Sequence, residues 1–116
     1  MKNSSSGGDP ATLLDIVLAC RRIERFLHEV SEREFYDDEE KHWADVSQLS
    51  IIGEAVRRLS PAFRESRSEI GWKRIAGMRD RLIHAYDQID WSVVWKTASE
   101  DVPALRNMVE PLLPAP

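Results

Sequence analysis

The sequence predicts an all-α protein, built as an antiparallel bundle of four or five helices. Apolar residues recur at steps of three and four along most of the chain, which is the spacing of an amphipathic helix. No stretch of useful length alternates apolar and polar residues as a strand would. The predicted helices are joined by short connections, which favour antiparallel neighbours.

The first helix is predicted to begin at Asp9-Pro10, with the aspartate as N-cap and the proline at the first helical position. One apolar stripe follows at helical spacing, formed by Leu13, Ile16, Val17, Cys20, Ile23, Leu27 and Val30. Ser31 and Glu34 have the spacing of a capping box, so they predict the start of another element.

A second long helix is predicted from about Asp38 to Leu59, since its apolar residues again recur at steps of three and four. These residues are Trp43, Val46, Leu49, Ile52, Val56 and Leu59. Ser60-Pro61 is expected to end this helix or to bend it sharply.

A third helix is predicted from Trp72 to Ile83, with a possible extension to Tyr86. Asp90 is predicted as the N-cap of a fourth helix, which pauses near Pro103. Two apolar sets complete the chain, the first formed by Trp91, Val94 and Trp95 and the second by Leu105, Val109 and Leu112.

The chain has 116 residues, the length of one domain. We expect a flexible lead-in over residues 1–8, one helical domain over 9–113 and a short tail over 114–116. No apolar run approaches the roughly 20 residues that span a bilayer, and the N-terminus lacks the apolar core of a secretory signal. Cys20 is the only cysteine, so no internal disulfide can form. These features predict a cytoplasmic protein without a membrane partner.

The net charge of −4 argues against a generic nucleic-acid binder, but the charges are unevenly distributed. Residues 29–45 carry eight acidic and two basic side chains, whereas residues 57–81 carry eight basic and three acidic ones. Both stretches are compatible with solvated helical faces. Alternatively, the basic stretch faces an anion and the acidic stretch faces a partner or water.

Several familiar chemistries do not fit the sequence. The glycines are isolated and form no phosphate-binding loop. Three histidines and one cysteine match no metal-ligand spacing, so neither a metal nor another cofactor is predicted. His28 and His42 lie among charged residues and are interpreted as exposed helix residues. The indole side chains are interpreted as core or dimer-interface anchors rather than base-stacking platforms: Trp72, Trp91 and Trp95.

The segment Arg79-Asp80-Arg81-Leu82-Ile83-His84-Ala85-Tyr86 remains as the candidate site. Cleavage of RNA needs a group that moves a proton near neutral pH, and histidine has this property. It also needs a fixed cation for the phosphoryl oxygens, as a guanidinium supplies. A phenol can hydrogen-bond to the phosphate or stack on a base. Arg79 and His84 are therefore the candidate catalytic residues, with Tyr86 in support. The candidate RNA-binding residues are Lys73, Arg74 and Arg81.

The pattern Arg79-x4-His84-x-Tyr86 resembles the signature of the HepT-like ribonucleases, toxins of the HEPN superfamily. Five flanking segments also match that family in order and spacing: Ile52-Gly53-Glu54-Ala55, Glu69-Ile70-Gly71-Trp72, Gly77-Met78-Arg79-Asp80, Leu82-Ile83-His84-Ala85-Tyr86 and Ile89-Asp90-x4-Trp95. The likeness extends from about Leu14 to Leu113. It departs at Gly71, where the family has proline before the tryptophan.

The resemblance implies a HEPN-type homodimer in which both copies of the motif face a shared cleft. It further implies a metal-independent endoribonuclease toxin acting on RNA such as tRNA or mRNA. A minimal nucleotidyltransferase antitoxin is implied as the partner, and it would silence the toxin by transferring AMP to Tyr86. A function of another class stays open, namely a non-catalytic dimeric adaptor that binds a nucleotide or the nucleotidyltransferase.

The spacing of Arg79 and His84 raises a geometric question. Residues five apart on a regular helix differ by about 140° around its axis, so these two would not share a face. Either the helix loosens before His84, or two protomers complete each other's site across a two-fold axis, which we favour. Asp80 lies one turn before His84. It is expected either to orient the imidazole or to act as an ordinary surface i,i+4 partner.

Overall fold

The computed structural model describes residues 8–84 and 88–114, and for Ile83 and His84 it describes the backbone alone. Helices account for most of these residues, as the apolar periodicity predicts. They run in the order α1 (Gly8–Phe26), α2 (Glu32–Tyr36), α3 (Glu39–Arg58), α4 (Pro61–Ser66), α5 (Trp72–His84), α6 (Trp91–Lys96) and α7 (Val102–Val109). The described ranges contain no strand.

The core forms where α1, α3 and α7 pack together. The stripe of α1 is buried from Leu13 to Ile23, against buried residues of the other two helices such as Leu49 and Val109. The helix ends at Phe26, earlier than the stripe predicts, and Leu27 and Val30 pack on the core from the following turn. Because this stripe is buried within one chain, it does not supply a dimer surface.

Contacts between the long helices establish their directions. Asp15, early in α1, pairs with Arg58 at the end of α3. Arg22, two turns later in α1, donates a hydrogen bond to Gln48 in the middle of α3, so the two helices are antiparallel. Arg106 similarly pairs with Glu24 at 2.5 Å and with Glu110 at 2.8 Å. Arg21 pairs with the same Glu110, which makes α7 antiparallel to α1. The predicted antiparallel bundle is confirmed.

Two caps are present around α2 and α3, and the first of them is the predicted capping box. Ser31 and Glu34 form the reciprocal hydrogen bonds of a capping box at the start of α2. Asp38 accepts a hydrogen bond from the Lys41 amide as the N-cap of α3, and the helix ends at Arg58. Ser60 then caps the short α4, a helix that the sequence analysis did not predict.

The expectation for Asp9 is wrong. Asp9 lies inside the first turn of α1, and its carboxylate accepts hydrogen bonds from the Ser60 amide at 2.9 Å and hydroxyl at 2.7 Å. Ser60 itself caps α4 through the amide of Phe63. Asp9 therefore ties the first helix to the junction between α3 and α4, a long-range role that local sequence patterns do not reveal.

The expected pause near Pro103 is a change of helical type. The chain stays helical through a five-residue π-helical turn, Thr97–Asp101, which leads directly into α7. Proline has no amide hydrogen and its ring crowds the carbonyl four residues earlier. A wider turn before the proline accommodates both effects without a break. The apolar residues on either side, Val94 and Leu105, remain buried.

An aromatic cluster joins α2, α3 and α6. The ring of His42 stacks on Trp91 with centroids 4.2 Å apart, and Phe35 lies 4.9 Å from the same imidazole. Trp95 also packs on Phe35, at 5.5 Å. His42 is thus half-buried, and its interpretation as an exposed helix residue is wrong. His28 is exposed as expected, although it lies in the turn after α1.

Two titratable side chains, Asp45 and Cys20, are buried in the core, and burial raises the pKa of each. Asp45 is fully buried, and neither carboxylate oxygen has a hydrogen-bond partner among the described residues. Burial raises the pKa of this carboxyl to about 7, against a smaller lowering effect of Lys41. Burial likewise raises the pKa of the Cys20 thiol to about 12, with Glu24 adding to the shift and Arg106 opposing it. Both side chains lie within the helical core.

None of the helices described here has both the length and the apolar composition needed to cross a membrane.

Candidate functional site

Helix α5 carries the candidate motif, and its start is anchored in the core. Ile70 and Trp72 are both buried, and the Trp72 indole donates a hydrogen bond to the Arg67 carbonyl at 3.1 Å. The backbone amide of Ile75 bonds to the Gly71 carbonyl, so the helix continues directly from this anchor. Gly71 lies between these two side chains, and the indole is buried with glycine at this position.

The middle of α5 lies directly on α3 at Gly53. A Cβ atom placed on this glycine would lie only 2.3 Å from Cβ of Arg79 and 2.9 Å from its Cγ. No side chain fits between the helices at this point. The absence of one on Gly53 allows the base of the Arg79 side chain to reach the backbone of α3.

The Arg79 guanidinium lies between two carboxylates. Its Nη2 is 3.5 Å from Oε1 of Glu54, and its Nη1 is 3.6 Å from Oδ1 of Asp80. Both distances exceed the roughly 2.7 to 2.9 Å of a charge-assisted hydrogen bond. The Nε atom is buried and has no hydrogen-bond partner among the described residues. Arg79 is therefore fixed by attraction while its donors stay unused.

Asp80 forms an ion pair with Arg57 of α3, a partner that the sequence pattern does not indicate. Its Oδ2 accepts a hydrogen bond from Arg57 of α3, and its other oxygen is the one that faces Arg79. Arg57, Asp80, Arg79 and Glu54 thus form an alternating charge network across the contact between α3 and α5. The ion pairs of Asp80 are therefore with Arg57 of α3 and with its neighbour Arg79, and neither is an i,i+4 pair. The role of orienting His84 stays a proposal.

His84 is the last residue of α5, and the helix remains regularly α-helical up to it. The alternative in which the helix loosens before His84 is therefore wrong. On a regular helix the two motif residues differ by about 140° in direction. The side chain of His84 and the whole of Tyr86 lie outside the described residues.

The basic stretch divides into neutralised and unneutralised side chains. Arg57 and Arg58 are paired with Asp80 and Asp15. The three candidate RNA-binding side chains on α5 are exposed and form no ion pair with any described residue: Lys73, Arg74 and Arg81. The acidic stretch lies elsewhere, on α2 and the first half of α3. Arg64 and Arg67, in α4 and at its end, also form no ion pair with a described residue. The unpaired positive charge of this stretch thus lies on the motif helix and on the segment just before it.

An open groove of about 140 Å³ lies beside these side chains, between α5 and the π-helical turn with α7. Arg74 and Arg81 line it together with apolar side chains such as Met78 and Leu105. The two guanidinium groups therefore border a concave surface. In the part of the chain that the structure describes, no group of three or more His, Cys, Asp or Glu side chains could hold a metal ion.

Sequence reasoning missed the contribution of α3 to this site. Gly53, Glu54 and Arg57 all contact the motif residues, yet they lie more than 20 positions earlier in the chain. In the sequence, the segment Ile52-Gly53-Glu54-Ala55 is recognisable only as a flank of the family pattern. The signal available was a glycine inside a predicted helix, followed at once by an acidic residue.

The comparisons with known proteins agree with this architecture. The family model described as "Ribonuclease HepT-like" matches residues 16–112. A protein of Thermococcus cleftensis named "Probable ribonuclease HepT" is 41% identical over 100 residues, which cover 86% of this chain and 91% of the relative. One from Caldanaerobacter subterraneus subsp. tengcongensis, named "Putative RNase", is 38% identical over 98 residues, covering 84% and 88%. Another "Putative RNase", from Methanocaldococcus jannaschii, is 36% identical over 100 residues, covering 86% and 92%. No solved structure matches the chain significantly.

Proposed function

Because the chain belongs to the HepT-like ribonuclease family, we propose that it is a metal-independent endoribonuclease that acts as the toxin of a toxin–antitoxin pair. In this proposal Arg79 binds the scissile phosphate and His84 transfers the proton. Tyr86 contacts the phosphate and is the residue that an antitoxin modifies. The enzyme works in the cytoplasm on an RNA such as tRNA or mRNA.

The observation that carries the proposal is the state of the Arg79 guanidinium. The side chain is held by Glu54 and Asp80 without a hydrogen bond to either, so the N–H groups on Nη1 and Nη2 remain unused. A guanidinium with unused donors can accept a phosphate in a bidentate arrangement. Fixed donors stabilise the charge that develops on the phosphoryl oxygens during cleavage.

The helical spacing of the two motif positions supports a shared site. Positions 79 and 84 are about 140° apart around the axis of a regular helix, so a single copy does not bring them together easily. Two copies related by a two-fold axis would place the motif of each beside that of the other, and would supply one histidine as base and another as acid. Large apolar side chains on the outer faces of α1 and α3 are available for such an interface: Leu14, Leu18 and Ile51.

The remaining side chains of α5 fit a role in holding the RNA strand. Lys73, Arg74 and Arg81 are exposed and lack ion-pair partners among the described residues, so phosphates need not displace an acidic side chain to reach them. Contacts of this kind position a strand without reading its sequence. Their contribution is expected to weaken as the salt concentration rises.

Cleavage of a mixed RNA substrate by the purified protein tests the proposal. Arg79→Ala and His84→Ala should each abolish cleavage and leave the circular dichroism spectrum and melting temperature nearly unchanged. Arg33→Ala and His28→Ala are matched controls, because both positions are exposed and distant in sequence from the motif. A chelator should make little difference to cleavage by the unmodified protein.

Undiminished cleavage by a folded His84→Ala protein would contradict the proposed mechanism. A protein that binds RNA or a nucleotidyltransferase without ever cleaving RNA would instead favour the adaptor function.

A further inference from the structure

The position of Arg79 depends on groups supplied by α3. Gly53 lets the base of the side chain contact the α3 backbone, and Glu54 faces the guanidinium at 3.5 Å. The Arg79 side chain is about one quarter exposed, at 28%, whereas that of Glu54 is 45% exposed. The arginine is thus enclosed near its base, while its charged end lies at the surface beside one carboxylate of the neighbouring helix.

Glu54 and Asp80 differ in what they can do for this guanidinium. Asp80 follows Arg79 on the same helix, so it cannot fix the guanidinium relative to α3. Its negative charge is also divided between Arg79 and Arg57. Glu54 forms no ion pair with any described residue other than Arg79. It is therefore the acidic group that relates the guanidinium to α3 rather than to its own helix.

We propose that Glu54 is a positioning residue, whose carboxylate holds the Arg79 guanidinium at the contact of α3 with α5 so that the unused donors face an incoming RNA phosphate. The proposal rests on the proposed ribonuclease function. An arginine side chain has several rotatable bonds, and ordering them only when substrate arrives would raise the barrier to reaction. At a separation of 3.5 Å the carboxylate attracts and orders the guanidinium, and it leaves the N–H groups on Nη1 and Nη2 for the phosphate.

The Glu54 carboxylate also repels a phosphate. Removing its charge is therefore expected to affect kcat and KM differently. Replacement by glutamine removes the charge but keeps the shape, so phosphate binding should not weaken. The alignment of the guanidinium should be lost. Glu54→Gln is therefore expected to lower kcat by about tenfold, less than the roughly hundredfold that a 1 Å misplacement can cost, without raising KM for RNA.

The kinetic test compares Glu54→Gln with Glu54→Asp and with Glu69→Gln. Glu54→Asp keeps the charge and should recover part of the lost kcat. Glu69 is exposed and forms no ion pair with a described residue, so Glu69→Gln should leave both constants unchanged. An unchanged or higher kcat in Glu54→Gln, together with a lower KM, would mean that Glu54 merely competes with RNA, and would overturn the proposal.

A second measurement does not depend on cleavage. The Nε–Hε resonance of Arg79 in a nitrogen-15 NMR spectrum can be assigned from its absence in Arg79→Lys. In the unmodified protein its relaxation should be that of an ordered group, and Glu54→Gln should make it that of a mobile side chain. Unchanged relaxation would overturn the positioning role. Loss of order without any ribonuclease activity in the unmodified protein would support the positioning of Arg79 and contradict the proposed function.

Discussion

Gly53 and Arg79 are packed so closely that a methyl group on the glycine would overlap the Cβ of the arginine, at 2.3 Å. Both atoms belong to the stiff inner part of their helices, so a flexible side chain cannot turn away to make room. The backbone of α5 would have to move away from α3. The stability of the fold and the position of the motif are therefore linked at one residue.

Gly53→Ala is accordingly expected to lower the free energy of unfolding by about 1 to 3 kcal/mol, the usual cost of overpacking. Cleavage should fall with it, because Arg79 moves relative to Glu54. Urea unfolding and a ribonuclease assay measure the two effects.

Gly77→Ala is the matched control for this variant. Gly77 is also inside a helix, but the Cβ that it would gain lies 3.7 Å from the nearest atom, on Arg81. Alanine should stabilise the helix there by about 0.5 to 1 kcal/mol. If Gly53→Ala were as stable as Gly77→Ala, the close contact of α3 with α5 would be contradicted.

Asp45 makes the stability of the protein depend on pH. The folded-state pKa of about 7 lies above the ordinary value of 3.8, so between these values the folded state binds more protons than the unfolded state. The free energy of unfolding should therefore decrease as the pH rises from about 4 to about 7, and this contribution should level off above that window.

Asp45→Asn removes the charge at constant shape, so it should stabilise the protein by at least about 1 kcal/mol at pH 8 and have little effect at pH 4. Urea unfolding at both values measures the difference, with the exposed Asp37→Asn as control. An equal effect of Asp45→Asn at the two pH values would show that its carboxyl does not titrate in this range.

The two-fold arrangement predicts that the protein is a homodimer, with twice the chain mass of 13.3 kDa by light scattering at micromolar concentration. Mixed dimers of Arg79→Ala and His84→Ala chains should recover measurable cleavage, since one copy keeps the arginine and the other keeps the histidine. A monomeric mass would contradict the shared cleft. Failure of a verified mixed dimer to cleave would mean that the site needs both arginines or both histidines.

Modification of Tyr86 is expected to silence the enzyme. Each AMP adds a bulky group with about one negative charge, and charge repulsion in water amounts to only about 1 kcal/mol, so steric block should be the larger effect. Co-expression with a minimal nucleotidyltransferase should give inactive protein that is heavier by whole AMP units. Intact-mass spectrometry detects this change.

Tyr86→Phe separates modification from other forms of inhibition. The variant should resist silencing and keep part of its activity. An unmodified Tyr86 in a silenced complex would indicate that the partner blocks the cleft by binding alone.

All the helices except α4 could be predicted at least in part, because their starts and apolar faces depend on neighbours in the sequence. The capping box of Ser31 and Glu34, the N-cap at Asp90 and the stripe beginning at Leu13 all follow from local spacing. The partners of Asp9 and Arg79 could not be predicted in this way, because Ser60 and Glu54 reach them through tertiary packing. The burial of His42 could not be predicted for the same reason, because Trp91 covers it from a helix about 50 residues later.

The rate at which Cys20 reacts with an alkylating reagent can report how often this protein unfolds. Only the thiolate reacts with alkylating reagents, and a thiol with a pKa of about 12 in the fully buried core presents almost none of it at neutral pH. Labelling must wait until α1 separates from α3 and α7. Because no other cysteine is present, the labelling rate can report the opening of the bundle in a cell lysate without a probe being added to the chain.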